Sequence, residues 1–162
     1  MIALMSFAAL APAAAQEAAP AVWSLEAPKG APAILTYAEG GVPLVQMTCQ
    51  PASGQVAFRV SVQKRLASRK SGLIWTNALG MPAPWPASVT LTSGVVSSTL
   101  RGSVDADPST GASWAVVEAS TQAPVFKGFA KTGVLTFTVL SETVWPNAAK
   151  PSEARKFLGV CR

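Results

Sequence analysis

The chain has 162 residues, of which 49% are hydrophobic and 13% are charged, a composition typical of a folded domain and not of a disordered chain. Its net charge at pH 7 is +5, and it has no histidine, which excludes Ser–His–Asp and Cys–His catalysis and every histidine-ligated metal site. Its two cysteines are too few to form a zinc site or an iron–sulfur cluster by themselves.

Residues 1–15 are interpreted as a secretory signal peptide. The first ten are nearly all apolar, and Ala13-Ala14-Ala15 fits the small-residue cleavage rule, which leaves residues 16–162 as a single exported β-rich domain. The apolar run is shorter than the ~20 residues that span a bilayer, so we predict no transmembrane segment. No basic residue precedes Lys29, so either the basic start of the signal lies upstream of Met1 or the signal is weak. The alternative is an N-terminal helix packed on the domain.

The composition also indicates where the protein resides. Its Ala-rich and Pro-rich character, together with the style of the signal, is typical of a high-GC Gram-negative bacterium. A cleaved signal without a membrane span predicts a protein of the periplasm or the exterior.

Alternating apolar and polar residues predict β-strands along most of the chain. Near Val56, for example, Val56 and Phe58 point to one face while Ala57 and Arg59 point to the other. The predicted strands are 23–25, 34–37, 42–49, 56–63, 87–92, 95–100, 112–119, 134–140 and 143–145. The strand at 112–119 is apolar on both faces, which indicates a central position. We therefore predict an all-β fold, a single antiparallel β-sandwich or barrel-like domain with one or two short helices.

The two cysteines predict one disulfide, Cys49–Cys161, because an exported chain folds in an oxidising compartment. The alternative is a pair of buried free thiols. In the loop-entropy account, closing a loop of order 100 residues stabilises the fold by about 4–5 kcal/mol.

A basic segment lies in the middle of the chain. Residues 40–104 carry six Lys and Arg and no Asp or Glu, and four of these basic residues lie within 64–70. One interpretation is a solvated loop, and the other is a patch for an anionic partner such as lipid headgroups or lipopolysaccharide phosphates. Nucleic acid is disfavoured by export and by the lack of aromatic residues between the basic ones. The candidate anionic-partner patch consists of Arg59, Lys64, Arg65, Arg69 and Lys70.

A proline-rich segment precedes the strand at 87–92. Its prolines stiffen the backbone and remove three hydrogen-bond donors, so we predict that 81–86 is not part of a central strand. Trp85 is either a plug that covers one end of the domain or an exposed anchor for a partner. The candidate binding loop consists of Pro82, Pro84, Trp85 and Pro86.

Two segments depart from the β pattern. Residues 124–131 predict a short helix, with proline in its first turn and Gly133 just past its end. Residues 152–160 are a second candidate helix with Ser152 as the N-cap. The alternative for this last segment is a final strand that carries Cys161.

Two short motifs match those of the penicillin-recognising enzymes. Ser61-Val-Gln-Lys64 matches S-x-x-K, and Lys131-Thr-Gly133 matches K-T-G. S-x-x-K needs a helix to bring the lysine amine over the serine, whereas the strand pattern here sends the two side chains to opposite faces. The S-D-N element is absent, so we do not interpret these motifs as an active site.

The acidic residues predict neither a metal site nor a catalytic pair. Residues 105–111 begin like a calcium loop but lack the Gly and Glu that its sixth and twelfth positions need, so a turn explains them better. Glu118 and Glu142 lie in strand-like segments, and nothing brings them together as the carboxylates of a hydrolase. Glu118 is equally suited to an ion pair with Arg59 or Arg101 across a sheet.

Four stretches resemble exported proteobacterial proteins of the invasion-associated locus B type. They are the early Trp23, "PASVTLTSGV", "VEASTQAPVFKGFAKTGVLTFTV" and the closing "EARKFLGVCR". The resemblance spans most of the mature chain. It implies a small periplasmic or surface β-sandwich with a role in contact with a host, and it implies no catalytic residues.

The function expected from the sequence is that of an exported envelope binding or interaction module without enzymatic activity, cofactor or metal. Its expected partner is an unknown protein or an anionic component of the envelope. One alternative is a secreted inhibitor of a hydrolase that inserts the 82–86 loop or the basic loop. A second is a small serine or carboxylate hydrolase that uses Ser61, Lys64 or Glu118.

Overall fold

The computed structural model describes residues 20–162, so the predicted signal peptide lies outside the described residues. Eleven strands and two helices follow one another in these residues. They are β1 (Val22–Glu26), β2 (Ala33–Glu39), β3 (Val42–Cys49), β4 (Gln55–Val62), β5 (Arg69–Ser71), β6 (Ile74–Thr76), β7 (Trp85–Ser93), β8 (Val96–Ala106), β9 (Ser113–Ser120), α1 (Pro124–Thr132), β10 (Thr136–Val139), β11 (Glu142–Val144) and α2 (Pro151–Val160). No helix among them is long and apolar enough to cross a bilayer.

Nine of the strands form one curled antiparallel sheet in the order β1-β2-β3-β4-β9-β8-β7-β10-β11. The all-β prediction with two short helices is therefore confirmed. The expected central position of the strand at 112–119 is also confirmed, because β9 lies between β4 and β8. The remaining two strands, β5 and β6, pair only with each other and form a separate hairpin.

The core lies between one face of this sheet and the two helices. Helix α1 packs against β7 and β8, helix α2 packs against β2 and β3, and the two helices contact each other. Phe58 of β4 stacks on Phe126 of α1 at 5.9 Å between ring centroids and meets Phe137 of β10 edge-on at 5.7 Å. The alternating pattern that predicted the strands thus separates this core-facing side from an outer side that carries the polar residues.

Helix α1 ends as its sequence predicts. Gly133 has the left-handed conformation with φ of 72°, and its N–H donates to the carbonyl of Phe129 at 2.7 Å. A Cβ at Gly133 would collide with the backbone of Ala149, so this position needs glycine for space as well as for conformation.

The C-terminal segment is helical, so the alternative of a final strand is wrong. The helix begins at Pro151 after an extended Lys150, and the prediction of Ser152 as the N-cap is wrong by two positions. Proline is suited to the first helical position because its missing N–H would have no partner there.

The predicted disulfide between Cys49 and Cys161 is present, and both cysteines are fully buried. It joins the end of β3 to the residue that follows α2. Two backbone hydrogen bonds reinforce the junction, from Ala52 to the carbonyl of Val160 and from Gly54 to that of Cys161. The end of the chain is therefore attached to the turn between β3 and β4.

The proline-rich segment differs from its prediction at its last two residues. Trp85 and Pro86 belong to β7, which lies between β8 and β10. Strand β10 pairs only with residues 89–92 of β7, so the first part of β7 has one side without a partner strand. A proline is tolerated there because no ladder hydrogen bond on that side needs its N–H.

Trp85 itself is buried, with 5% of its surface exposed, and its indole N–H donates to the carbonyl of Met81 at 2.9 Å. The plug interpretation therefore agrees with the structure, and Trp85 is not an exposed anchor. The candidate binding loop retains only exposed prolines around it.

Candidate anionic-partner surface

The five candidate basic residues fall on two neighbouring parts of the fold. Arg59 lies on the outer side of β4, Lys64 and Arg65 lie in the loop after β4, and Arg69 and Lys70 lie in β5. All five side chains are exposed. The hairpin of β5 and β6 was not predicted from the sequence, because strands of three residues, exposed in β5 and half-buried at two positions in β6, are too short to show an alternating pattern. We call these five residues the basic surface.

Trp75 of β6 fixes this surface to the rest of the molecule. The guanidinium of Arg65 and the ammonium of Lys70 lie 5.4 and 5.3 Å from its ring centre. Its indole N–H and the Lys70 ammonium both donate to the carbonyl of Pro108, at 3.3 and 2.7 Å, and Arg65 donates to the carbonyl of Thr110 at 2.8 Å. Each cation–π contact at an exposed site contributes about 0.5–1 kcal/mol. The hairpin is therefore held in one orientation instead of forming a loose solvated loop.

The loop that receives these hydrogen bonds is ordered by Asp107. One carboxylate oxygen of Asp107 accepts hydrogen bonds from the backbone N–H and the hydroxyl of both Ser109 and Thr110, at 2.5–3.0 Å. The hydroxyl of Ser109 and the N–H of Thr110 are the main reasons why the pKa of Asp107 lies well below its usual range. The interpretation of residues 105–111 as a turn agrees with this geometry. Within residues 20–162, no three His, Cys, Asp or Glu side chains come together as a metal site.

Gly111 allows the close approach of the hairpin to this loop. It is buried with φ of 72°, and a Cβ there would lie 2.8 Å from the Arg65 guanidinium and 3.0 Å from the ring of Trp75. Only glycine combines the left-handed conformation with this space.

A second cation–indole pair lies beside the hairpin. The guanidinium of Arg59 stacks over Trp114 of β9, 4.4 Å from the ring centre. A cleft of about 250 Å³ separates this pair from the hairpin, and it is lined among others by Ile74, Trp75 and Asp105. Trp75 and Trp114 were not predicted as members of the site. For Trp114, the β4–β9 pairing that brings it next to Arg59 joins distant parts of the chain.

Among the described residues, none of the five cations of the basic surface makes an ion pair, although Asp105 lines the cleft beside Arg59. In this part of the chain, the one ion pair joins Lys150 to Glu153 at the start of α2. The expected pairing of Glu118 with Arg59 or Arg101 is therefore wrong, since Arg59 stacks on an indole and Glu118 faces Ala57 across the β4–β9 pair. The contacts of these cations are with indole rings and backbone carbonyls, and not with carboxylates at ion-pair distance.

Exposed apolar side chains accompany the basic surface. Leu73, Ile74, Leu79 and Met81 expose 83%, 57%, 85% and 52% of their surface, and they make up four of the ten exposed large apolar residues in the described chain. They belong to one small unit, because residues 81–83 return alongside β6 through hydrogen bonds of Asn77 and Ala83. We call these four residues the apolar rim.

The residues of the hydrolase alternative do not form a site. Ser61 lies on the outer side of β4, and Lys64 lies beyond the end of this strand. Glu118 is opposite Ala57, four residues and thus about 13 Å along the strand from Ser61. Glu142 accepts a hydrogen bond from the backbone N–H of Gln63 at 2.9 Å, which gives it a structural role.

Comparisons with protein-family models, with curated proteins and with solved structures find no match to this chain.

Proposed function

We propose that the protein is an exported binding module of the Gram-negative cell envelope that holds an anionic partner on its basic surface and has no enzymatic activity. The observation that carries this proposal is a group of five exposed cations, three of them held over indole rings, for which the described residues provide no ion-pair partner. A preformed surface of one charge loses little conformational entropy on binding and attracts an opposite charge at long range.

The disulfide supports the location in this proposal. A buried disulfide between distant parts of a chain is typical of proteins that fold outside the cytoplasm. Together with the signal peptide expected at residues 1–15, it favours the periplasm or the exterior.

The inhibitor alternative has less support. An inhibitor needs an exposed anchor to insert into its target, and the burial of Trp85 removes the aromatic side chain from the 82–86 loop.

The proposal is tested with a double variant, Lys64→Gln with Arg69→Gln. In the described part of the chain neither side chain makes an ion pair or a cation–π contact, so the hairpin should remain folded. The probe is inorganic polyphosphate, which presents phosphate charge without an apolar part, and titration calorimetry measures its affinity. With about 1 kcal/mol for each basic residue near an anionic surface, the double variant should bind about 30-fold more weakly at low salt.

A matched control removes the same charge elsewhere. Lys127 of α1 and Lys156 of α2 are exposed, and Lys127→Gln with Lys156→Gln lowers the net charge equally. This control should retain most of the affinity of the wild type. Equal weakening by both double variants would show that net charge alone drives the binding, and an absence of polyphosphate binding by the wild type would overturn the proposal.

A further inference from the structure

We infer that the partner is the surface of an anionic phospholipid bilayer, and that the apolar rim inserts between headgroups while the basic surface contacts their phosphates. This inference rests on the proposed function and adds the apolar rim to it. It assigns the rim a role that a purely ionic partner does not need.

The clustering of the rim requires an explanation. Single exposed apolar side chains are normal on a protein surface, whereas a group of them around charged residues marks a contact surface. Leu73 lies in the turn between β5 and β6, and Leu79 lies in the turn after β6. Strand β6 has three residues and spans about 10 Å, so the two turns lie at opposite ends of one short unit.

The charges around the rim match a bilayer with anionic headgroups. Lys64, Arg69 and Lys70 lie in the same stretch of chain as the rim, and Asp105 is the one acidic residue of the described chain that lines the cleft beside Leu73 and Ile74. Apolar side chains flanked by Lys and Arg are the arrangement with which proteins bind the interface of a membrane. A soluble polyanion would use only the cations and leave the leucines in water.

The unit is ordered before it meets a partner. The side chain of Asn77 accepts hydrogen bonds from the N–H groups of Leu79 and Met81, both at 3.0 Å. At this same end of the hairpin, the N–H of Ser68 donates to the carbonyl of Thr76 at 2.9 Å, and the pairing of Ser71 with Ile74 closes the turn that carries Leu73. These contacts lower the entropy cost of ordering the rim at a surface.

The experiment compares two kinds of vesicle with three forms of the full chain. The vesicles are phosphatidylcholine alone and phosphatidylcholine mixed with phosphatidylglycerol, and co-sedimentation measures binding. The rim variant is Leu73→Ser with Leu79→Ser. Its control is Val42→Ser with Val95→Ser, which removes two apolar side chains of 61% and 102% exposure from other parts of the molecule. Circular dichroism checks that each variant is folded.

The inference predicts that the wild type binds the mixed vesicles and not the neutral ones. The rim variant should bind the mixed vesicles at least tenfold more weakly, because each leucine loses its burial, and should keep the polyphosphate affinity of the wild type. The control variant should behave as the wild type in both assays.

Three outcomes would overturn the inference. If the rim variant binds the mixed vesicles like the wild type, the rim does not insert. If the wild type binds polyphosphate but no vesicle, the partner is another anion and the proposed function survives. If the wild type binds neither probe, the proposed function fails as well.

Discussion

At the scale of single residues, Trp75 and Gly111 decide whether the basic surface has a fixed shape. Trp75 holds Arg65 and Lys70 near its ring, and Gly111 leaves the space in which the ring lies. The sequence shows both residues, but neither lies in a recognisable motif. The contact between Gly111 and Trp75 forms only when the hairpin packs on the loop before β9. No local sequence pattern predicts such a contact.

We predict that Gly111→Ala loosens the basic surface. The new Cβ forces Arg65 and Trp75 to move, and alanine is strained at a φ of 72°, so the free energy of unfolding should fall by about 1–3 kcal/mol. Urea denaturation measures this change. Gly94→Ala is the control. Gly94 has φ of 61° and no atom within 4 Å of a Cβ, so alanine there brings only the strain of the left-handed backbone. Equal losses in the two variants would show that the contact with Trp75 is unimportant.

A second residue-scale prediction concerns pH. Hydrogen bonds of Ser109 and Thr110 keep the pKa of Asp107 below its value in the unfolded chain, so its ionised form stabilises the fold. This contribution is complete above the ordinary aspartate pKa of about 3.9 and declines as the pH falls toward the lowered folded value. Asp107→Asn should therefore destabilise the protein at pH 7, and the difference from the wild type should shrink near pH 3. A difference that is constant from pH 7 to pH 3 would contradict the role of the charge.

At the scale of elements, the sequence predicted α1 and all nine strands of the large sheet but ended β8 at residue 100, whereas β8 continues to Ala106 and pairs with β9 through this last part. The hairpin and its site were not predicted. Each strand of the sheet with one buried face shows the alternation that burial imposes, and Gly133 marks the end of α1. Strands β5 and β6 bury neither face fully, so nothing selected an alternating pattern there. Arg59 was predicted to point outward, but its stacking on Trp114 requires the pairing of β4 with β9, which the sequence alone does not specify.

The attachment of α2 gives a prediction at this scale. The disulfide and the hydrogen bonds of Ala52 and Gly54 join α2 to the turn after β3. Replacing both Cys49 and Cys161 with Ser should lower the free energy of unfolding by up to about 4–5 kcal/mol, because the unfolded chain regains the freedom of a large loop. Chemical denaturation of the wild type with and without reductant measures the same loss of stability, because the reduced wild type should have the free energy of unfolding of the double variant. Identical stability of all three forms would contradict the structural role of the bond.

At the scale of the whole molecule, the two faces of the sheet have different surroundings. The side that packs on α1 and α2 carries the aromatic core around Phe58, and the outer side carries Arg59, Trp114 and the hairpin. Substitutions on the hairpin should therefore change binding without changing the fold.

Phe58→Ala, in contrast, should cost about 3–5 kcal/mol of stability because it opens a cavity between α1 and β10.

The most direct test of the proposed bilayer contact is hydrogen–deuterium exchange of the full chain, free and bound to vesicles of phosphatidylcholine with phosphatidylglycerol. The account predicts slower exchange on binding in residues 64–83, which include the apolar rim and every residue of the basic surface except Arg59. The backbone of α1 and α2 should exchange at the same rate in both states. Slower exchange confined to the helices, or no change at 64–83 in a sample that co-sediments with the vesicles, would contradict the account.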